Sequence, residues 1–118
     1  MPFRILSISY DGTLLKTRHD MLHQRGYVVT SAEGFTEAME QCHAGEFDLV
    51  VIGHSIPHND KEALFSAVQE SCAAPVIALS RGSEPQLKGA ADTVDPMDPK
   101  CFLKAVEKIA SSKRDAKV

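Results

Sequence analysis

The chain is short of almost everything that would mark a specialised protein class. Its three cysteines, Cys42, Cys72 and Cys101, are odd in number, widely spaced and never arranged as C-x-x-C. Neither a disulfide framework nor a structural zinc site is therefore encoded, and the thiols are expected to be reduced and mostly packed. No stretch approaches the ~18 consecutive apolar residues of a membrane-spanning helix. Met1-Pro2-Phe3-Arg4 leads straight into a strand-like run with no small-residue cleavage site, which predicts a cytoplasmic protein away from membranes. Positive charge is not in excess either: a formal net charge of -3 and a pI near 5.9 leave no electrostatic footprint for nucleic acid. Nor is there room for a second domain in 118 residues. What is present is ordinary. With 43% hydrophobic and 25% charged residues, the composition is that of one soluble globular domain.

Short apolar runs alternate with longer amphipathic stretches, the order expected of a parallel sheet covered by helices on both faces. Phe3 to Ile8 reads as the first strand. A helix from Gly12 to Arg25 follows, with Leu14, Leu15, Met21 and Leu22 on one side, Lys16, His19, Asp20 and His23 on the other, and Gly26 as its stop. Tyr27 to Thr30 is a short second strand and Phe35 to His43 a second helix. Asp48 to Ile52 is the near-continuous apolar run of a strand buried on both faces. Beyond Pro57, His58-Asn59-Asp60 offers an N-cap to a third helix over Lys61 to Ser71. Pro75 to Leu79 and Ala91 to Val94 complete the strands. Between them Ser80-Arg81-Gly82-Ser83-Glu84-Pro85 is loop-like and leaves space for only a shortened fourth helix before Gly89. Asp98-Pro99 caps and opens the last helix, which turns Phe102, Leu103, Val106 and Ile109 inward. The prediction is an α/β domain over residues 1–110: a three-layer, doubly wound, five-stranded parallel sheet in the flavodoxin-like order 2-1-3-4-5 with about five helices. Residues 111–118 are expected to form a flexible basic tail.

Ligands of such sheets sit beyond the carboxyl ends of the strands. That rule selects Ser9, Tyr10 and Asp11, then Gly53 and His54, then Ser80 and Arg81, then Asp95. His54 and His58 flank Pro57 near the place where Asp11 and Asp95 should converge, a composition suited to a metal ion or an acid/base pair. His19 and His23 are spaced to share a helix face as metal ligands, although an exposed polar face is the simpler reading. Ser80-Arg81-Gly82-Ser83 could present N–H groups and a guanidinium to an anion, but with no convincing helix behind it the segment reads as a loop.

Several segments in one register resemble the response-regulator receiver domain. They are Arg4-Ile5-Leu6-Ser7-Ile8, the turn Gly26-Tyr27-Val28-Val29, Ala38, Phe47-Asp48-Leu49-Val50, Pro57, Ala74-Pro75-Val76-Ile77-Ala78-Leu79-Ser80, Gly89-Ala90-Ala91-Asp92 and Pro96. The resemblance runs from Arg4 to about Ile109 and implies a role in two-component signal transduction or a phosphorelay. It also implies that the family's phosphorylation site is degenerate. Where the family places two adjacent magnesium-binding acids, this chain has Ser9 and Tyr10, with Asp11 one position on; the phosphoacceptor position holds Gly53. The family's lysine is replaced by Asp95, its aromatic switch position falls at Asp92, and only the hydroxyl residue survives, as Ser80. Phosphoryl acceptance needs a nucleophile and Mg²⁺ needs oxygen ligands. The resemblance therefore implies a stand-alone pseudo-receiver that is not an enzyme, needs no cofactor and acts by phosphorylation-independent protein binding. Its partners would be a histidine kinase, an effector or a second copy of itself. The docking surfaces would be the rim at Tyr10, His54 and His58 and the face of the fifth strand and last helix.

Ser9-Tyr10-Asp11-Gly12-Thr13-Leu14 also resembles the first motif of haloacid-dehalogenase-type phosphatases, Asp-x-Asp-Gly-Thr, with Ser9 at the nucleophile position. The alternative function is thus a small phosphatase, or a ligand or metal sensor using Asp11, His54 and Asp95. The plain reading of Asp11-Gly12 is a turn and helix cap.

Overall fold

A computed structural model describes residues 3–44, 46–71, 74–80, 89–90, 92–95 and 98–115. Five strands, β1 (Arg4–Ser9), β2 (Val28–Glu33), β3 (Leu49–Ile52), β4 (Val76–Leu79) and β5 (Asp92–Val94), form one parallel sheet in the order β2-β1-β3-β4-β5. The described helices are α1 (Gly12–Gln24), α2 (Phe35–Ala44), α3 (His58–Ser71) and α4 (Pro99–Asp115). This is the predicted flavodoxin-like topology.

Strand alternation divides the core in two. Leu6, Ile8, Val50 and Ile52 pack with Ala38 and Cys42 of α2 and with Leu64 and Val68 of α3. Ile5, Leu49, Val51 and Leu79 pack on the other face with Leu22 of α1 and with Phe102 and Val106 of α4. Every residue of β3 and β4 is buried, which is why both read as unbroken apolar runs. Continued past Val51, the same alternation turns Gly53 toward the α1 side.

The structure moves several predicted boundaries. β2 does not stop at Thr30, because Ser31, Ala32 and Glu33 pair in register with Ser7, Ile8 and Ser9. α3 begins at His58, and the Lys61 N–H donates to the Pro57 carbonyl at 2.9 Å, so His58-Asn59-Asp60 is the first helical turn and not a cap. Asp98 does cap α4, its Oδ1 accepting the Cys101 N–H at 3.1 Å. That helix continues through Asp115, past the point at Ser111 where the tail was expected to begin. Cys42 is buried, but Cys101 is exposed on α4, against the expectation of packing; Cys72 lies outside the described residues. So do Arg81 and the segment of the shortened fourth helix. Among the described residues, no helix is long and apolar enough to cross a membrane.

Candidate functional site

The carboxyl ends of β1 and β3 are joined by a small hydroxyl network. Ser9, fully buried, lies with its Oγ 3.1 Å from Ser55 Oγ, and the same oxygen accepts the Asp11 N–H at 3.1 Å. Ser55 Oγ also accepts the Tyr10 N–H at 3.3 Å. Asp11 itself is exposed, and its Oδ1 accepts the N–H groups of Thr13 and Leu14 at 2.9 and 3.2 Å. Its carboxylate is thus the N-cap of α1, the plain reading of Asp11-Gly12.

Sequence reasoning missed the residue that dominates this corner. Arg18 on α1 is only 6% exposed, and a Cβ built on Gly53 would lie 2.8 Å from its Nη1. The guanidinium therefore occupies the space a side chain at position 53 would claim. Arg18 Nη2 is 3.2 Å from His54 Nδ1. Arginine can only donate, so Nδ1 accepts and the ring proton of a neutral His54 sits on Nε2. Arg18 Nη1 is buried and makes no hydrogen bond. Burial pulls the Arg18 pKa down from its ordinary value, opposed by the charge of Asp11. The signal for Arg18 was its spacing: Leu15, Arg18 and Leu22 fall at i, i+3 and i+7, and all three are buried.

A second buried cation went unnoticed for the same reason. Lys61, Leu64 and Val68 repeat that spacing on α3, and Lys61, 3% exposed, donates from Nζ to the Leu79 carbonyl at 3.1 Å, at the end of β4. The next residue, Ser80, is buried with its Oγ unbonded. Asp95 is exposed, and its carbonyl accepts the Asp98 N–H at 3.1 Å. Elsewhere, His58 faces Glu62 one turn along α3, with Nε2 3.2 Å from Oε1. His19 and His23 stack with ring centroids 6.0 Å apart, and His19 Nδ1 lies 3.2 Å from Ser31 Oγ. Among the described residues, no group of three or more His, Cys, Asp or Glu is arranged to hold a metal ion.

Tyr10, half-buried, donates from its hydroxyl to Asp60 Oδ2 at 2.9 Å. Burial first, then that bond and the Asp60 charge, push its phenol from 10.0 up to about 12. The folded state keeps a proton that the unfolded chain loses, so this contribution to stability is intact below about pH 10 and is lost as pH rises through about 12. In a Tyr27→Phe background, where Tyr10 is the remaining tyrosine, the ultraviolet phenolate signal should rise near pH 12. Asp60→Asn should bring it back toward 10. Titration of the parent near pH 10 would show that the Tyr10–Asp60 pair does not form.

By sequence, the chain matches no family model and no curated protein. Solved structures do match. A CheY-like receiver domain protein from Methanospirillum hungatei aligns with a TM-score of 0.82 at 19% identity, over 98% of this chain and 99% of that one. The fold is that of a receiver domain. The signal receiver domain of an HD domain-containing protein from Pseudomonas fluorescens gives the same TM-score, 0.82, at 19% identity, covering 98% of this chain and 99% of that one. A response regulator from Thermotoga maritima, solved in complex with Mg²⁺-BeF, aligns at 0.78 and 20% identity over 91% of this chain and 98% of that one. In this receiver fold Gly53 directly follows β3, Ser9 ends β1 and Ser80 directly follows β4.

Proposed function

We propose that the chain is a receiver-like signalling module that acts by binding other proteins, with no phosphorylation of its own. The observation that carries this reading is the exchange at the end of β3: no side chain at Gly53, and the Arg18 guanidinium in the space beside it. A cation there opposes Mg²⁺ by charge, and a glycine supplies no nucleophile. Asp11, the acid that follows Tyr10, uses its Oδ1 to cap α1, which counts against its service in the phosphatase and metal-sensor readings.

Two surfaces suit a kinase, an effector or a second copy. One is the strand-end rim of Tyr10, His54 and His58. The other is a groove of about 360 Å³ between β5 and α4, where Val94 and Ala105 form an apolar floor between Asp98, Lys104 and Lys108. In the test, the protein is incubated with acetyl phosphate and Mg²⁺ and its intact mass recorded. An unchanged mass is expected. Gain of one phosphoryl group on an aspartate would overturn the proposal.

A further inference from the structure

The charge at the strand ends is the reverse of a cation site, and its donors are incompletely used. Arg18 is more than nine-tenths buried, its Nη1 makes no hydrogen bond, and its Nη2 meets only the neutral lone pair of His54 Nδ1. A buried charged donor left without an acceptor is costly, whereas a guanidinium that meets an oxyanion makes two parallel charge-assisted bonds. Three other residues at this corner, Gly53, Ser9 and Ser55, carry no charge. Gly53 adds no bulk; the buried Ser9 hydroxyl donates to the Asp11 carbonyl at 3.2 Å, while the exposed Ser55 hydroxyl, 3.1 Å from Ser9 Oγ, can turn its proton outward. Asp11, whose charge acts on Arg18, has its Oδ1 turned to the helix amides.

We propose that the β1/β3 strand ends bind a small oxyanion such as inorganic phosphate directly, through Nη1 and Nη2 of Arg18, without a divalent metal. His54 is the placeholder acceptor. An entering oxyanion displaces Nδ1 from Nη2 and takes the fork of both amino groups, a geometry that lysine cannot reproduce. The half-buried His54 and exposed Ser55 form the route in from solvent. This inference is independent of the protein-binding proposal above, since it requires no partner.

The test is thermal unfolding and ³¹P NMR titration with sodium phosphate against sodium chloride of matched ionic strength, with EDTA present throughout. A saturable rise in melting temperature is expected for the unmodified protein. Arg18→Gln should weaken phosphate binding at least about tenfold, the loss expected for charge-assisted hydrogen bonds, and Arg18→Lys should bind in between. His54→Ala, which removes the competing acceptor, should bind phosphate more tightly. Absence of a saturable effect in the unmodified protein, or equal binding by Arg18→Gln, would overturn the proposal. If Arg18→Gln does not fold, His54→Ala decides: tighter binding supports the site, and unchanged or weaker binding overturns it.

Discussion

Gly53→Asp should fold, should pair its new carboxylate with Arg18, and should remain unphosphorylated. The backbone permits the change, because Gly53 is not among the glycines with positive φ, which among the described residues are Gly26, Gly34 and Gly89. Space is tighter: the added Cβ would lie 2.8 Å from Arg18 Nη1, 3.0 Å from the Ile8 carbonyl oxygen and 3.4 Å from Ser9 Cβ. The first of these contacts is the end of a flexible side chain and can yield. The second is backbone, held by the Gly53 N–H donating to that same oxygen at 2.9 Å, so the site gives by a few tenths of an ångström at most. Once there, the carboxylate meets a donor that has no acceptor, and a hydrogen bond to a charged group contributes about 1.5–3 kcal/mol. Gly53→Asp should therefore be more stable than the near-isosteric Gly53→Asn by about 1–3 kcal/mol in urea unfolding at neutral pH. The difference should vanish in an Arg18→Gln background, as a double-mutant cycle requires of a direct pair. Pairing with Arg18 also removes the carboxylate from nucleophilic service, and Ser9 and Tyr10 still offer Mg²⁺ no carboxylate. A phosphorylated single variant after treatment with acetyl phosphate would contradict this account.

The sheet was legible in the sequence because its strands are buried on both faces, which leaves runs such as Leu49 to Ile52 with no polar interruption. The edge strand was read short for the converse reason. Ser31 and Glu33 carry no apolar signal, and only pairing with Ser7 and Ser9 of β1 holds them in the ladder. At the site, the missing side chain of Gly53 could be read directly, but what fills its place could not. Arg18 and Lys61 were passed over because a long cation on an amphipathic helix is normally a solvated residue whose stem alone is buried. Their positions nevertheless followed the inward stripe of each helix, Leu15-Arg18-Leu22 and Lys61-Leu64-Val68. Spacing carried the information, and residue type concealed it.

Lys61 provides the sharper test of what a buried cation does in this fold. Its ammonium is withdrawn from water to reach the Leu79 carbonyl at 3.1 Å, while its stem lies on the stripe of α3 that packs Leu64 and Val68 against the sheet. Opposing effects compete when it is replaced. Leaving the carbonyl without this donor costs about 1–3 kcal/mol at most, and carbonyls with a spare lone pair are tolerated better than orphaned N–H groups. Against that, an ammonium buried in the native state carries a desolvation penalty of several kcal/mol, which an apolar chain of equal length avoids. Lys61→Met should therefore unfold within about 1 kcal/mol of the unmodified protein, on either side. Lys61→Ala, which also empties the volume of the stem, should lose about 2–4 kcal/mol. Lys61→Glu, which sets a buried carboxylate against a carbonyl oxygen, should lose about 3–5 kcal/mol, a large share of the ~5–15 kcal/mol that holds a domain together. Urea midpoints of the three variants rank these effects. If Met proves as damaging as Glu, the charge itself is required at the end of β4, and the ammonium would be a polar anchor for the strand-end corner in place of an apolar stem with a tolerated head.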